Sequence, residues 1–118
     1  VPVMLDAHGD PMLRNFVHVD DLTAAIVAAL GHPAARQQLF NICMDEPVDY
    51  RIMADYLYET RGLPSVDIPT TFHRTWLDNN KAKFLLDWRP EVDLDDLIDN
   101  AWDYERDDDD ERKIWYPG

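Results

Sequence analysis

The hydrophobic and polar positions change period inside one stretch, "RNFVHVDDLTAAIVAAL", residues 14–30. Residues 15–19 alternate and are rich in Val and Phe, which predicts a strand. Directly afterwards Leu22, Ala25, Ile26, Ala29 and Leu30 recur at i, i+3, i+4, i+7 and i+8, one helical stripe expected to face inward. Asp20 or Asp21 is the expected N-cap, and Gly31 with Pro33 ends the helix. A strand is thus delivered into a capped helix with no turn signal between them.

The same logic divides the rest of the chain. "LFNIC", residues 39–43, has the length of a strand, and "VDIP", residues 66–69, predicts another. Asp49 caps a second helix with Met53, Tyr56 and Leu57 inward, ended by Gly62 and Pro64. Asp78 caps a short third helix presenting Ala82, Leu85 and Leu86, which Trp88 and Pro90 close. Asp93 caps a fourth, with Leu94, Leu97, Ile98, Ala101 and Trp102 as its stripe and Asp95 and Asp96 favourably placed at the positive end of the helix dipole. Residues 1–13 carry Pro2, Gly9 and Pro11 and read as irregular. The expected architecture is α/β: a small, mostly helical lobe with two or three short strands, one domain over residues 1–118, with residues 107–118 an acidic, loosely packed tail.

Composition narrows the partners. A chain of 118 residues, 46% apolar, suits one compact domain that buries roughly two-thirds of its unfolded surface. Its net charge of −13 excludes a polyanionic partner, so neither nucleic acid nor an anionic membrane is expected. The excess is mostly aspartate, and the few cations are mostly arginine. A salt-adapted source and an ordinary solvated acidic face both account for that pattern. The run Asp107–Asp110 lacks the glycine and the spaced glutamate of a calcium loop. The single cysteine, Cys43, permits neither an internal disulfide nor a thiolate metal site and suits a reducing cytoplasm. Val1 is preceded by no initiator methionine, and no leader or stretch of about 20 apolar residues is present. The chain therefore reads as a piece of a longer cytoplasmic protein.

Several catalytic signatures are missing. The glycines, Gly9, Gly31, Gly62 and Gly118, cannot form a phosphate-cradling turn, and no lysine stands four residues after a tyrosine. Gly-x-Ser-x-Gly, His-Glu-x-x-His and Cys-x-x-Cys are absent. No catalytic residue, metal ligand or cofactor-binding residue is assigned, and this chain alone is expected neither to bind NAD nor to turn over substrate. His18, Asp20 and Asp21 read as structural, with an aspartate used as a cap.

Three stretches in order, "RNFVHVDDL", "FNICMDEPV" leading into a helix that ends in "RG", and "WLDNNKAKFLLDWRP", resemble the C-terminal part of the extended short-chain dehydrogenases. These are the NAD-dependent epimerases and dehydratases of sugar nucleotides, of the UDP-galactose 4-epimerase kind. The resemblance runs from about residue 9 to residue 106 and implies a substrate lobe whose N-terminal Rossmann domain, carrying NAD or NADP and the Tyr-x-x-x-Lys pair, is missing. It also implies a sugar or nucleotide-sugar substrate and a parent homodimer formed through the absent domain.

By that resemblance Arg14 reaches the diphosphate or nucleotide end of the substrate, a role suited to a guanidinium. Read without it, Arg14 is a surface cation paired with an aspartate. Asn41 matches a family Asn near the nucleotide, and equally suits a strand-end Asn that satisfies backbone groups. Arg74 stands near, but displaced from, a second family arginine in "RPGD", so a substrate without the nucleotide, such as a free uronic acid, stays open. Asn80 and Asp87 replace the family's Ser and Gly in "DxSKAxxxLGW". The expected function is the substrate-binding domain of an NAD-dependent sugar epimerase or dehydratase. The alternatives are the corresponding lobe of a uronate or free-sugar dehydrogenase, or a stand-alone acidic interaction module.

Overall fold

A computed structural model describes residues 1–104; the acidic tail expected over residues 107–118 lies outside them. Four helices, α1 (Val19–Ala29), α2 (Tyr50–Arg61), α3 (Asn80–Leu86) and α4 (Leu94–Asp103), accompany four short strands, β1 (Pro2–Leu5), β2 (Leu13–Arg14), β3 (Val48–Asp49) and β4 (Val66–Pro69). The strands form two separate pairs, β1 with β4 in parallel and β2 with β3 antiparallel. This is the small, mostly helical α/β lobe expected.

The helices fall where the spacing placed them, but the strands do not. Of the three strands expected, only Val66–Pro69 forms, and its partner is Pro2–Leu5, in the segment read as irregular. Pro2 occupies the first residue of its strand, where a missing ladder donor is tolerated. Residues 39–43 belong to no strand, because no neighbouring strand pairs with them among the described residues. In place of the strand expected over residues 15–19, pairing stops at Arg14 and residues 15–18 run without regular structure into α1.

The caps differ as well. His18 is the N-cap of α1, its Nδ1 accepting from the Asp20 amide at 3.2 Å, instead of Asp20 or Asp21. Asp21 is buried and serves another segment. Asn79, not Asp78, is the N-cap residue of α3, although the Asp78 carboxylate still accepts from the Asn80 amide at 2.7 Å. Asp49 and Asp93 cap α2 and α4 as expected.

The inward face of α1 is made of small residues. Ala25 packs in one cluster with Ala82, Leu86 and Trp88, with Ala28, Ala29, Phe40 and Ile42 around it. The expected inward stripe is therefore corrected: Leu22, Ile26 and Leu30 face outward, Ile26 at 53% and Leu30 at 73% exposure, beside exposed Val19 and Val27. Small side chains allow α1 to approach α3 closely, and the buried Asp21 carboxylate fixes which face turns inward.

Candidate functional site

β2 delivers Arg14, half-buried, to the segment that precedes α3. Its Nη1 donates to the His73 carbonyl at 3.0 Å. Asn15 holds the same segment further on, donating to the Thr75 carbonyl at 3.2 Å and accepting from the Leu77 amide at 2.9 Å. Asn41 donates to the Asp78 carbonyl at 2.9 Å. Asn79 closes the series from the other side, its buried amide donating to the Cys43 carbonyl at 2.8 Å and to Asp45 at 2.9 Å. Residues 73–79 are thus latched from end to end, and their backbone polar groups find partners without forming a sheet.

Arg74 is engaged differently. Its Nε lies 2.9 Å from the buried Asp6 carboxylate and its Nη2 3.2 Å from Asp10. Burial alone would push the Asp6 carboxyl up, but the Asp10 and His8 amides and the Arg74 guanidinium together hold it below the usual carboxylate range. The Asp6 carboxylate also closes the turn at residues 6–10, where Gly9 adopts φ 86°. The His8 and His73 rings stand 6.2 Å apart beside this pair.

Arg14 and Arg74 therefore meet at residues 73–74, whereas Asn41 sits at the far end of the latched segment. Arg51, Arg61, Arg74 and Lys83 each have a carboxylate within ion-pair distance. Arg36, Lys81 and Arg89 are exposed. Arg14 alone among the described lysines and arginines is half-buried with no carboxylate partner. In a chain of charge −13 that is the group best prepared to receive an anion from elsewhere.

Two clefts lie nearby, the second lined in part by the latched residues 76–79. One of about 370 Å³ runs between the Met44–Ile52 and Pro90–Leu94 segments, and one of about 580 Å³ lies beside Trp76, Glu46 and Lys83. Neither is lined by Arg14, Asn41 or Arg74. Cys43 is buried, and burial first, with the Asp45 carboxylate second, pushes its thiol up, so it is protonated at neutral pH and a poor nucleophile. Among the described residues no group of three His, Cys, Asp or Glu could hold a metal ion, and no helix is long and apolar enough to cross a membrane.

The described residues offer no open strand-to-helix turn for a pyrophosphate. The one strand that runs directly into a helix is β3 into α2, and the helix N-terminus is already occupied by the Asp49 carboxylate, an anion where a pyrophosphate would need room. Asn15, Asp6 and Asp21 carry as much of the architecture as the residues singled out from the sequence. Asp6 left a signal in the turn-forming spacing of "DAHGD", and Asp21 stood out as a candidate cap without its partners being legible.

No family model matches the sequence, and neither does any curated protein. Solved structures do. A short-chain dehydrogenase/reductase superfamily protein from Agrobacterium tumefaciens, solved with bound NAD, is 25% identical over 85% of this chain and 31% of its own, with a TM-score of 0.77. The chain is similar in fold to about a third of such a protein, as expected of the C-terminal part of an extended member of that superfamily. UDP-glucuronic acid 4-epimerase from Bacillus cereus, in complex with UDP-glucuronic acid and NAD, is 26% identical over 87% of the chain and 34% of its own, at a TM-score of 0.69. ADP-L-glycero-D-manno-heptose-6-epimerase from Helicobacter pylori is 25% identical over 84% and 31%, at 0.67. The chain spans about a third of the length of these structures.

Proposed function

We propose that this chain is the substrate lobe of an NAD-dependent enzyme that converts a sugar or nucleotide sugar, with Arg14 receiving the substrate's anionic group. The observation that carries the reading is that Arg14 is half-buried and has no carboxylate partner among the described residues of a protein rich in carboxylates. The guanidinium keeps donors to spare after its one bond to the His73 carbonyl, and the latched segment beneath it fixes its direction. Hydride chemistry is assigned to NAD bound by further chain outside residues 1–104. The outward stripe of α1 supports such a cover, and the reading includes a parent homodimer formed through that further chain. The buried, unpaired Cys43 supports a reducing cytoplasm.

A second reading, a free uronate as substrate, is favoured by Arg74. Both Asp6 and Asp10 engage it, which leaves Arg14 as the half-buried guanidinium available to one anionic group and withholds Arg74 from clamping a diphosphate from a second side. Asn41 serves as a support of the Asp78 carbonyl under either reading, with its remaining polar atom toward the ligand.

The test uses the full-length enzyme. Arg14→Ala should raise the substrate dissociation constant about ten- to a hundredfold by calorimetry, as expected for one charge-assisted hydrogen bond, with NAD affinity unchanged. Arg14→Lys should recover part of the loss, because an ammonium lacks the planar fork. A uronate that binds without its nucleotide selects the second reading. Substrate affinity unchanged in Arg14→Ala makes Arg14 a surface cation and removes the basis of both.

A further inference from the structure

Of the 24 acidic and 11 basic residues of the chain, six and three fall in residues 105–118, which leaves eighteen against eight among the described residues. Five of the eighteen, Asp6, Asp10, Asp45, Asp67 and Asp99, lie within ion-pair distance of a Lys or Arg. Asp21, Asp49, Asp78 and Asp93 are satisfied by backbone amides. The others, with Asp55, Glu59, Asp95, Asp96 and Asp103 among them, are exposed and have no Lys or Arg partner among the described residues.

The repulsion concentrates on α4. Asp95 and Asp99 stand at i, i+4, as do Asp99 and Asp103, and Asp96 and Asp99 at i, i+3, spacings at which like charges destabilise a helix. Asp103 also sits in the last turn, where the helix dipole disfavours an anion, and no basic residue accompanies it. None of the side chains of α4 is fully buried. What opposes this repulsion is thin, since α4 packs on α2 without burying a side chain of its own. The cations are used sparingly: Arg51, Arg61 and Arg74 are each spent on a carboxylate, and lysine, whose long stem adds apolar surface, appears at three positions in the whole chain.

We propose that this fold is salt-dependent and reaches its full native stability only at ionic strengths near or above about 1 M, where the Debye length falls to about 3 Å from about 10 Å at 0.1 M. At that screening length neighbouring carboxylates on α4 and α2 no longer sense one another, while the hydrogen-bonded pairs Arg61–Asp99 and Arg74–Asp6 are too close to be screened apart. The few short-range pairs and the many unpaired carboxylates thus serve one condition, a folded state that tolerates, and needs, concentrated electrolyte.

The experiment follows the far-ultraviolet helical signal and thermal midpoint of the 118-residue chain in KCl from 0.05 to 3 M, with sucrose as a control that stabilises without screening. The midpoint should rise by about 10 °C or more between 0.05 and 1 M KCl, most of it below about 0.5 M, where the screening length changes fastest. Sucrose should not reproduce that early rise. The triple variant Asp55→Lys, Glu59→Lys, Asp103→Lys changes exposed, unpaired positions only; it should raise the low-salt midpoint and flatten the dependence on KCl. A midpoint that is flat or falling in KCl, an equal response to sucrose, or a chain that gains no helical signal at any salt concentration overturns the proposal. Should the triple variant fail to fold, the series on the unaltered chain still decides.

Discussion

The indole N–H of Trp88 donates to the main-chain carbonyl of Asp21 at 2.9 Å, and the Asp21 carboxylate accepts from the amides of Glu91 and Val92 at 3.0 and 3.1 Å. One residue at the start of α1 thereby fixes the chain that leaves α3 and leads to α4, 67 to 71 positions away in sequence. The second aspartate of "HVDD" is consequently neither a cap nor a ligand, but a buried clasp at 5% exposure.

Asp21→Ala should leave two amides without partners. The cost expected is about 2 to 4 kcal/mol, the sum of two unmade bonds at about 1 to 2 kcal/mol each. Asp21→Asn keeps one acceptor oxygen and should lose roughly half as much. Urea unfolding of the three proteins checks the order, and an Asp21→Ala chain as stable as the parent would make the clasp incidental.

Asp87 closes α3 in the left-handed region, φ 51° and ψ 33°. Aspartate is among the few residues that tolerate this conformation, though at some cost. Asp87→Gly should therefore stabilise the chain by about 0.5 kcal/mol, the steric relief slightly exceeding the extra entropy of an unfolded glycine, and Asp87→Val should lose 1 kcal/mol or more. Thermal unfolding distinguishes the three.

How far the sequence disclosed this architecture differs between helices and strands, for a physical reason. Helix signals are local: Asp49 before "YRIMADYLYETRG" and Asp93 before "LDDLIDNAW" each carry their own cap and stripe, and both helices form there. Strands depend on a partner elsewhere, so Pro2–Leu5, which lacks alternation, becomes a strand because Val66–Pro69 lies beside it, while the more strand-like residues 39–43 have no neighbour to pair with. Arg14 and Asn41 stand out in the sequence as polar groups, but their use as latches at opposite ends of residues 73–78 does not, because carbonyl partners leave no trace in side-chain spacing. The outward stripe of α1 was legible as apolar and misassigned in direction, since periodicity finds a face without saying what it faces.

α4 is tied to α2 through Asp99, which accepts from the Tyr56 hydroxyl at 2.9 Å and from Arg61 at 2.7 Å, with the guanidinium 4.9 Å over the Trp102 ring. The Arg61 bond first, and the Tyr56 bond second, hold the Asp99 carboxyl below its ordinary value of 3.8. A carboxyl lowered in the folded state contributes stability that is complete above its unfolded value and is lost as pH falls through the folded one. The docking of α4 should therefore be unchanged from pH 7 down to about 4.5 and weaken below the ordinary carboxylate value. At the alkaline end the Asp99 bond holds the Tyr56 hydroxyl above 10.0, so its contribution is present below that value and is lost as pH rises past it. Fluorescence of Trp102, read against a Trp102→Phe control, should report both limbs, and Asp99→Asn should remove the acid limb from the difference. An acid limb that survives Asp99→Asn assigns it to Asp6 or Asp45, both also held low.

Val19, Leu22, Ile26 and Leu30 follow one another at helical spacing on the outer face of α1, with Val27 beside them, all exposed. Monomeric proteins rarely leave contiguous apolar patches beyond a few hundred Å² uncovered, and Phe16, in the segment between β2 and α1, is exposed as well. Such a face belongs against further protein, so the isolated chain should associate with itself in a concentration-dependent manner. Ile26→Lys with Leu30→Lys should return it to a monomer by light scattering while leaving its unfolding free energy within about 0.5 kcal/mol, because neither side chain is packed in the lobe. The same pair in the full-length enzyme should lower the unfolding midpoint by several degrees, because there each lysine would have to be buried against the covering domain. Loss of stability in the isolated chain would show that these side chains support the lobe itself, and an unaltered full-length enzyme would show that the covering surface lies elsewhere.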